Sequence, residues 1–161
     1  MTPAVKQLEK AGVDFALAEY DHDPRSPAYG EEAARVLGLS ADEVFKTLLA
    51  RLDDDRLVVA IVPVSRKLDL KALARAAGAR KAHMAEADEA QRATGYVVGG
   101  ISPLGQKRRL ATFLDASAEG QPTIHVSGGR RGLEIRLAPA DLLRLTGGRL
   151  ATLSRGAGDW S

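Results

Sequence analysis

Apolar residues recur along the chain at two periods, one typical of helices and one typical of strands. Helical spacing predicts five helices, over residues 3–11, 31–37, 70–77, 85–94 and 139–145. Alternation of apolar and polar positions predicts strands over residues 13–20, 110–114, 123–127 and 133–137. The first helix begins with the favoured N-cap pair Thr2-Pro3, and four of the five are followed by glycine, which is typical of helix ends.

The segment 40–62 has an ambiguous pattern. Ser40 and Glu43 have capping-box spacing, which favours a helix. The apolar run 57–62, preceded by three aspartates and an arginine, instead indicates a hairpin whose first strand covers 46–52. We favour one helical turn followed by this hairpin. Helices interspersed with hairpins predict an α+β fold built on a mixed, curved β-sheet.

The length predicts one domain. At 161 residues the chain can bury roughly 68–70% of the surface that its unfolded form exposes, so it needs no disulfide or metal for stability. We expect this domain to cover 1–153 and the tail 154–161 to be loose. The sequence begins without the apolar core of a signal peptide, and no apolar run approaches about 18 residues. We therefore expect a soluble cytoplasmic protein with no membrane partner.

Composition removes several classes of chemistry. The chain has no cysteine, so it offers no thiol nucleophile, disulfide or thiolate metal site. Its histidines, His22, His83 and His125, lack metal-ligand spacing, so we expect no metal and no cofactor. Gly-x-Ser-x-Gly, Walker and Gly-x-Gly-x-x-Gly motifs are absent. Ordinary nucleophilic and nucleotide-dependent enzymes are therefore disfavoured.

The charge distribution is more informative than the net charge of +2. Basic residues cluster beside glycine-rich segments, at Lys107, Arg108 and Arg109 and at Arg130 and Arg131. A local basic rim can contact a phosphate backbone even on a nearly neutral protein. Each cluster taken alone also fits an ordinary solvated face.

The segment 95–109 contains four glycines and a proline and predicts a strand that leads into a rigid loop, which we call the glycine loop (99–105). Gly99 and Gly100 have no Cβ, so a ligand can approach their backbone N–H groups closely. Pro103 restricts the preceding Ser102 to extended conformations. Free N–H groups in a stiff loop suit a carbonyl oxygen, an oxyanion or a phosphate. A plain tight turn between two strands is the alternative.

Lys46 is the ionisable residue that least fits its surroundings. It interrupts the apolar run 44–49, where a lysine must extend to solvent, pair with an acid or face a cleft. Glu134, on the polar face of its strand, is a candidate partner. The spacing alone leaves a solvent-directed lysine and a site residue equally open.

Several ordered motifs resemble the YbaK/EbsC family of Cys-tRNA(Pro) deacylases, relatives of the prolyl-tRNA synthetase editing domain. The resemblance covers the chain from Met1 to about Leu153. The matching segments, at the family's spacing, are 20–24, 44–49, 68–71, 91–96, 98–107 and 126–133. The Lys46-Thr47 pair and the Gly-x-x-x-Pro motif at 99–103 are common to the superfamily, whereas the wider context resembles the cysteine-specific branch.

The resemblance implies a curved, barrel-like mixed sheet flanked by helices, and hydrolysis of the ester between tRNA and a wrongly attached amino acid. The substrate's own thiol would attack its carbonyl carbon. By position, Lys46, Gly99 and Gly100 correspond to catalytic residues. The implied substrate-binding residues are Tyr20, Thr47, Ile101, Ser102, Pro103 and Glu134, the last standing where the family usually has Asp.

The resemblance also sets the partners and the alternatives. It implies aminoacylated tRNA rather than DNA as the ligand, with the basic clusters as tRNA contacts, and prolyl-tRNA synthetase as a candidate partner. Sibling families act on Ala-, Ser- or Thr-tRNA. A non-catalytic module that binds tRNA or a synthetase is the alternative from another class. The sequence leaves the oligomeric state open.

Overall fold

The computed structural model describes residues 1–26 and 28–156, in which helices and strands are interspersed. The helices are α1 (Pro3–Ala11), α2 (Tyr29–Leu37), α3 (Leu70–Ala76), α4 (Ala87–Thr94) and α5 (Pro139–Thr146). The strands are β1 (Phe15–Glu19), β2 (Phe45–Leu52), β3 (Leu57–Pro63), β4 (Arg66–Leu68), β5 (Ala82–Met84), β6 (Ala111–Asp115), β7 (Ile124–Ser127), β8 (Leu133–Leu137), β9 (Arg149–Ala151) and β10 (Ser154–Gly156). This confirms the α+β class.

The strands form two large sheets and a small one. The five-stranded sheet has the order β5-β2-β3-β6-β9 and is mixed, because β3 pairs antiparallel with β2 and parallel with β6. The three-stranded sheet, β1-β8-β7, is antiparallel. An isolated bridge between Val44 and His125 connects the two. The expected barrel-like shape is wrong, because the strands stay in separate sheets and the five-stranded sheet keeps two edges.

The core explains why β3 has an unbroken apolar sequence. Its residues Val59 and Ile61 point into the main cluster, which fills the space between the two large sheets. Val58, Ala60 and Val62 point the other way, into a second cluster under α3. A strand buried on both faces has no polar positions and so loses its alternation.

The helix ends agree closely with the sequence. Thr2 caps α1 by accepting the N–H of Val5 (3.3 Å), and Gly12 ends the helix at φ +69°. Asp69 caps α3 by accepting the N–H groups of Lys71 and Ala72. Side-chain caps and left-handed glycines satisfy the backbone groups that a helix end leaves free. The α3 helix stops one residue earlier than expected.

Three local predictions were wrong. Glu43 accepts the Ser40 N–H (3.0 Å), but Ser40 Oγ accepts the Asp42 N–H, so the segment closes a turn and not a helix before the buried Val44 and Phe45 enter the strand region. Residues 96–98 are irregular, because α4 ends at Gly95 and the buried Tyr96 hydroxyl donates to the Leu104 carbonyl (2.7 Å).

The third concerns residues 154–156, at the start of the segment predicted to be loose. Residues 154–156 form β10, which pairs with β4, and the rest of the predicted tail lies outside the described residues. Strands β4, β5, β9 and β10 were missed because three residues are too few to establish alternation. Across the described residues, no helix combines the length and apolar character needed to cross a bilayer.

Candidate active site

A pocket of about 420 Å³ opens beside β2. Its walls come from β2, the start of α2, the segment from Met84 to Ala90 and the glycine loop, together with residues of the three-stranded sheet. The strand β5 pairs with β2 only over Ala50–Leu52, so 45–48 have no strand partner on this edge within the described chain. The gap left by the short β5 is where the pocket lies.

Lys46 faces this pocket with its charge uncompensated by direct contact. Burial lowers its pKa, Glu31 across the pocket mouth raises it, and Lys67 lowers it. In the part of the chain that the structure describes, its ammonium forms neither a hydrogen bond nor an ion pair within 4 Å. A half-buried ammonium in this position can bind a phosphate or a carbonyl oxygen.

Thr47 lies on the other face of β2, because side chains alternate along a strand, and it lines the same pocket because residues 45–49 border it from both faces. Its Oγ1 is buried and has no hydrogen-bond partner among the described residues. Burying a hydroxyl without a partner costs about 1–3 kcal/mol, so this atom is a natural contact for a polar ligand group.

Glu134 and Tyr20 bring two more polar groups from the three-stranded sheet. Glu134 is only 7% exposed, and burial raises its pKa to about 8, so its carboxyl is neutral near pH 7. Burial, followed by the nearby carboxyls of Glu134 and Glu32, raises the pKa of Tyr20 to about 12. Both side chains line the pocket as neutral groups that can donate a hydrogen bond.

The suggested pairing of Lys46 with Glu134 is wrong. The pKa of Glu134 is shifted by burial alone, with no contribution from a lysine, and the charges that influence Lys46 are those of Glu31 and Lys67. The two residues lie in different sheets and contribute to the same pocket without meeting.

Gly99 is the glycine-loop residue that shapes the pocket. It lines the cavity at φ +91°, and a Cβ at this position would lie 2.8 Å from the ring of Tyr29. Its N–H forms no hydrogen bond with the described residues. Glycine is therefore needed both for the backbone conformation and for the close approach of Tyr29.

Gly100 does not have the expected free N–H group. That N–H donates to the Val97 carbonyl (2.9 Å), and a Cβ on Gly100 would lie 2.8 Å from the Arg130 backbone. Gly100 also lies outside the pocket lining. Its position holds the loop against the turn between β7 and β8, so the direct oxyanion role assigned to it is corrected to a supporting one.

Of the three residues after Gly100, one lines the pocket and two do not. Ile101 lines the pocket, whereas Ser102 is fully buried and its Oγ accepts the Leu104 N–H (3.2 Å). Pro103 lines a different cleft. Ser102 and Pro103 therefore lie outside the pocket lining and support the loop from behind.

No pattern in the sequence indicates that α2 contributes to the pocket. Tyr29, Gly30 and Glu31 line it, whereas the predicted helix begins only at 31. The Tyr29 ring packs on Gly99 and lies 4.8 Å from the Arg131 guanidinium. Arg131 in turn donates to the Val98 carbonyl (2.9 and 2.6 Å). This set of contacts fixes the pocket mouth.

The basic clusters lie outside the pocket lining. Arg130 pairs with Glu19 (3.5 Å), and Arg131 is held at Tyr29 as described. Arg108 and Arg109 line another cleft, together with two lysines of α1, and Lys107 is exposed nearby. No group of three metal-ligating side chains occurs in residues 1–26 and 28–156.

Comparison with known proteins agrees with this geometry. The family model of the aminoacyl-tRNA editing domain matches residues 24–145. EbsC of Enterococcus faecalis, named as a candidate Cys-tRNA(Pro)/Cys-tRNA(Cys) deacylase, is 36% identical over 157 residues, which cover 95% of this chain and 93% of EbsC. YwhH of Bacillus subtilis, an uncharacterised protein, is 30% identical over 73% of this chain and 74% of its own.

Two solved structures share the fold. A crystal structure described as a candidate trans-editing enzyme for prolyl tRNA synthetase has a TM-score of 0.82 at 27% identity, covering 97% of this chain and 99% of its own. The hypothetical protein APE2540 has a TM-score of 0.85 at 24% identity, covering 96% of this chain and all of its own. The family model, the relative EbsC and this fold together show an aminoacyl-tRNA editing deacylase. The chain belongs to the aminoacyl-tRNA editing domain family.

Proposed function

We propose that this protein removes cysteine from mischarged Cys-tRNA(Pro) in trans, with the thiol of the substrate as the nucleophile. The observation that carries the proposal is the chemistry of the pocket. Its described lining includes the unpartnered Thr47 hydroxyl and the buried, neutral carboxyl of Glu134, but no cysteine and no histidine. The likeness to EbsC and to the candidate trans-editing enzyme supports this substrate.

The hydroxyl that lines the pocket on β7 is a poor alternative nucleophile. Ser127 Oγ accepts the Gly129 N–H (3.2 Å) as part of a turn. A serine nucleophile needs a general base within hydrogen-bond reach, and no histidine or lysine contacts Ser127 in the described structure. A nucleophile carried by the substrate removes that requirement.

The reaction then proceeds in one balanced exchange. The cysteine sulfur loses its proton and attacks the ester carbonyl carbon, forming a C–S bond. The bond from that carbon to the 3′ oxygen of tRNA breaks, and this oxygen takes up a proton. The products are a cyclic thiolactone and tRNA with a free hydroxyl.

The pocket residues assist this exchange without reacting. The Gly99 N–H donates to the carbonyl oxygen as negative charge develops there, an interaction commonly worth about 2.7–4 kcal/mol per donor. Lys46 holds the phosphate of the terminal nucleotide. Thr47, Tyr20 and Glu134 contact the amino group and the thiol end of the amino acid. Positioning the sulfur against its own carbonyl supplies much of the acceleration.

Single-turnover deacylation tests the proposal. Wild-type protein, Lys46→Ala and the control Lys6→Ala, which removes an exposed lysine of α1, are each mixed with Cys-tRNA(Pro) and Ala-tRNA(Pro). We expect rapid loss of cysteine alone, abolished by Lys46→Ala and unchanged by Lys6→Ala. Equal activity of the Lys46→Ala variant would refute the assignment of Lys46.

The same experiment separates the other functions. Loss of alanine, or of serine or threonine from the matching tRNAs, would place the protein with a sibling specificity. Loss of no amino acid would indicate a module that binds tRNA or a synthetase without catalysis.

We also propose that prolyl-tRNA synthetase hands its product to this protein. The pocket offers contacts to the amino acid and the terminal nucleotide but no base-reading groups, so selection of the tRNA needs a second protein. We expect added synthetase to accelerate deacylation of Cys-tRNA(Pro) over Cys-tRNA(Cys). Equal rates with and without synthetase would contradict this partnership.

A further inference from the structure

A basic concave surface lies between α3 and β5, and we call it the α3 cleft. Its volume is about 580 Å³. Four exposed cations surround a small apolar floor: Lys71, Arg75, Arg80 and Lys81. None of the four side chains forms an ion pair within 4 Å with a residue that the structure describes. The cleft therefore presents an uncompensated positive potential.

The nearby acids Asp53 and Asp69 form no ion pair with these cations. Asp53 accepts the backbone N–H of Arg80 (3.2 Å), and Asp69 accepts two backbone N–H groups at the start of α3. Neither carboxylate lines the cleft. Both bind main-chain groups, so the four side chains remain free to bind an external anion.

The α3 cleft and the pocket are both bordered by β5. Ala82 lines the cleft and Met84 lines the pocket. Residues two apart in a strand point to the same face and lie roughly 7 Å apart. Leu70 of the cleft and Leu48 of the pocket also pack on one apolar cluster. A ligand that leaves the pocket over Met84 and follows β5 therefore extends toward the cleft.

The charges on the two sides of Met84 favour a polyanion on the side of the α3 cleft. Beyond Met84 the chain continues into α4, where Glu86 and Asp88 form no ion pair with a described residue, whereas Glu89 pairs with Arg51. On the other side lie the α3 cleft and Lys67, which is close enough to lower the pKa of Lys46. A polyanion is repelled by the first side and attracted by the second.

We propose that the α3 cleft binds the phosphate backbone of the RNA whose aminoacylated 3′ end occupies the pocket. The inference rests on the proposed function for the identity of the ligand. The basic cluster 107–109 singled out from the sequence is less suitable. Arg108 and Arg109, with Lys6 and Lys10, line a cleft that the glycine loop separates from the pocket.

The two clefts provide matched variants. Lys71→Ala/Arg75→Ala removes two exposed cations four positions apart on α3, and Lys6→Ala/Lys10→Ala does the same on α1. Alanine favours helices, so both variants should fold. Arg80→Gln/Lys81→Gln, on the opposite rim of the α3 cleft, serves as a second test without changing a helix.

Binding of fluorescein-labelled tRNA(Pro) is measured by anisotropy from 50 to 200 mM salt. Each phosphate contact contributes roughly 0.7–0.9 to the slope of log affinity against log salt. We expect both α3-cleft variants to reduce the slope by up to about 1.4–1.8, and the α1 variant to keep the wild-type slope. A wild-type slope in both α3-cleft variants, or an equal loss in the α1 variant, would overturn the proposal.

A short substrate separates this inference from the proposed function. Deacylation of cysteinyl-CCA, which is too short to fill the α3 cleft, should be the same in wild-type protein and the α3-cleft variants, whereas deacylation of Cys-tRNA(Pro) should slow in the variants. If wild-type protein deacylates neither substrate, the proposed function fails while the salt slopes still decide the cleft. Equal slowing on both substrates would contradict a backbone-binding role.

Discussion

Glu134 makes the stability of this protein depend on pH in an unusual direction. The side chain is 7% exposed, and burial raises its pKa from the ordinary 4.5 to about 8. Between these values the folded protein keeps the proton, whereas the unfolded chain releases it. The unfolded state therefore binds fewer protons, and the free energy of unfolding falls as pH rises through this window.

The magnitude follows from the width of the window. Each pH unit between 4.5 and 8 lowers the free energy of unfolding by about 1.4 kcal/mol. The full effect is on the order of 5 kcal/mol, which is comparable with the whole stability of a small domain. Glu134→Gln keeps the shape and polarity of the side chain and removes the titration.

Urea unfolding at pH 5, 6, 7 and 8 measures this effect. We expect the wild-type protein to lose stability relative to Glu134→Gln as pH rises, so that the difference grows with each step. Glu9→Gln, which neutralises an exposed carboxylate of α1, should follow the wild-type curve. A difference between wild type and Glu134→Gln that stays constant from pH 5 to 8 would refute the burial argument.

Two further variants test the pocket walls. Thr47→Val should raise the free energy of unfolding by about 1 kcal/mol, because it removes a buried hydroxyl without a partner, and it should slow cysteine deacylation. The control Thr112→Val, which removes a hydroxyl bonded to the Leu110 carbonyl, should instead lower the free energy of unfolding. Gly99→Ala should lower the free energy of unfolding more than Gly120→Ala, because Gly120 has a similar φ but no neighbour within 4 Å, and Gly99→Ala should also impair deacylation. Equal losses of stability in the two variants would mean that the contact with Tyr29 is unimportant.

The sequence predicted those parts of the fold that depend on neighbours in the chain. Helix ends at Gly12 and Gly38 follow from local backbone geometry, and the hairpin of β2 and β3 follows from an apolar run with turn residues before it. The short β5 and β10 depend on partners far along the chain, so no local pattern marks them.

The candidate site was likewise predicted only where its residues are marked by their neighbours in the chain. Lys46 and Gly99 stand out locally, one as a charge in an apolar run and the other as part of a glycine pair. Tyr29 reaches the pocket only because Ala33 and Ala34 of α2 pack on a cluster with Val44 and Val64, which is a tertiary contact.

The α3 cleft also has no local signature. Its four cations are spread over eleven positions, 71–81, and no local pattern distinguishes them from ordinary solvated residues. The wrong pairing of Lys46 with Glu134 came from the same limit, since charge complementarity in sequence does not fix which residues meet across two sheets.

The most direct test of the account replaces the thiol of the substrate and leaves the protein unchanged. In 2-aminobutyryl-tRNA(Pro) a methyl group stands where cysteine has its SH, so the size of the side chain is nearly the same but the nucleophile is gone. Single-turnover deacylation should be rapid for Cys-tRNA(Pro) and no faster than the spontaneous rate for the analogue. Hydrolysis of both at similar rates would mean that water attacks the ester and that the pocket does not depend on the substrate thiol.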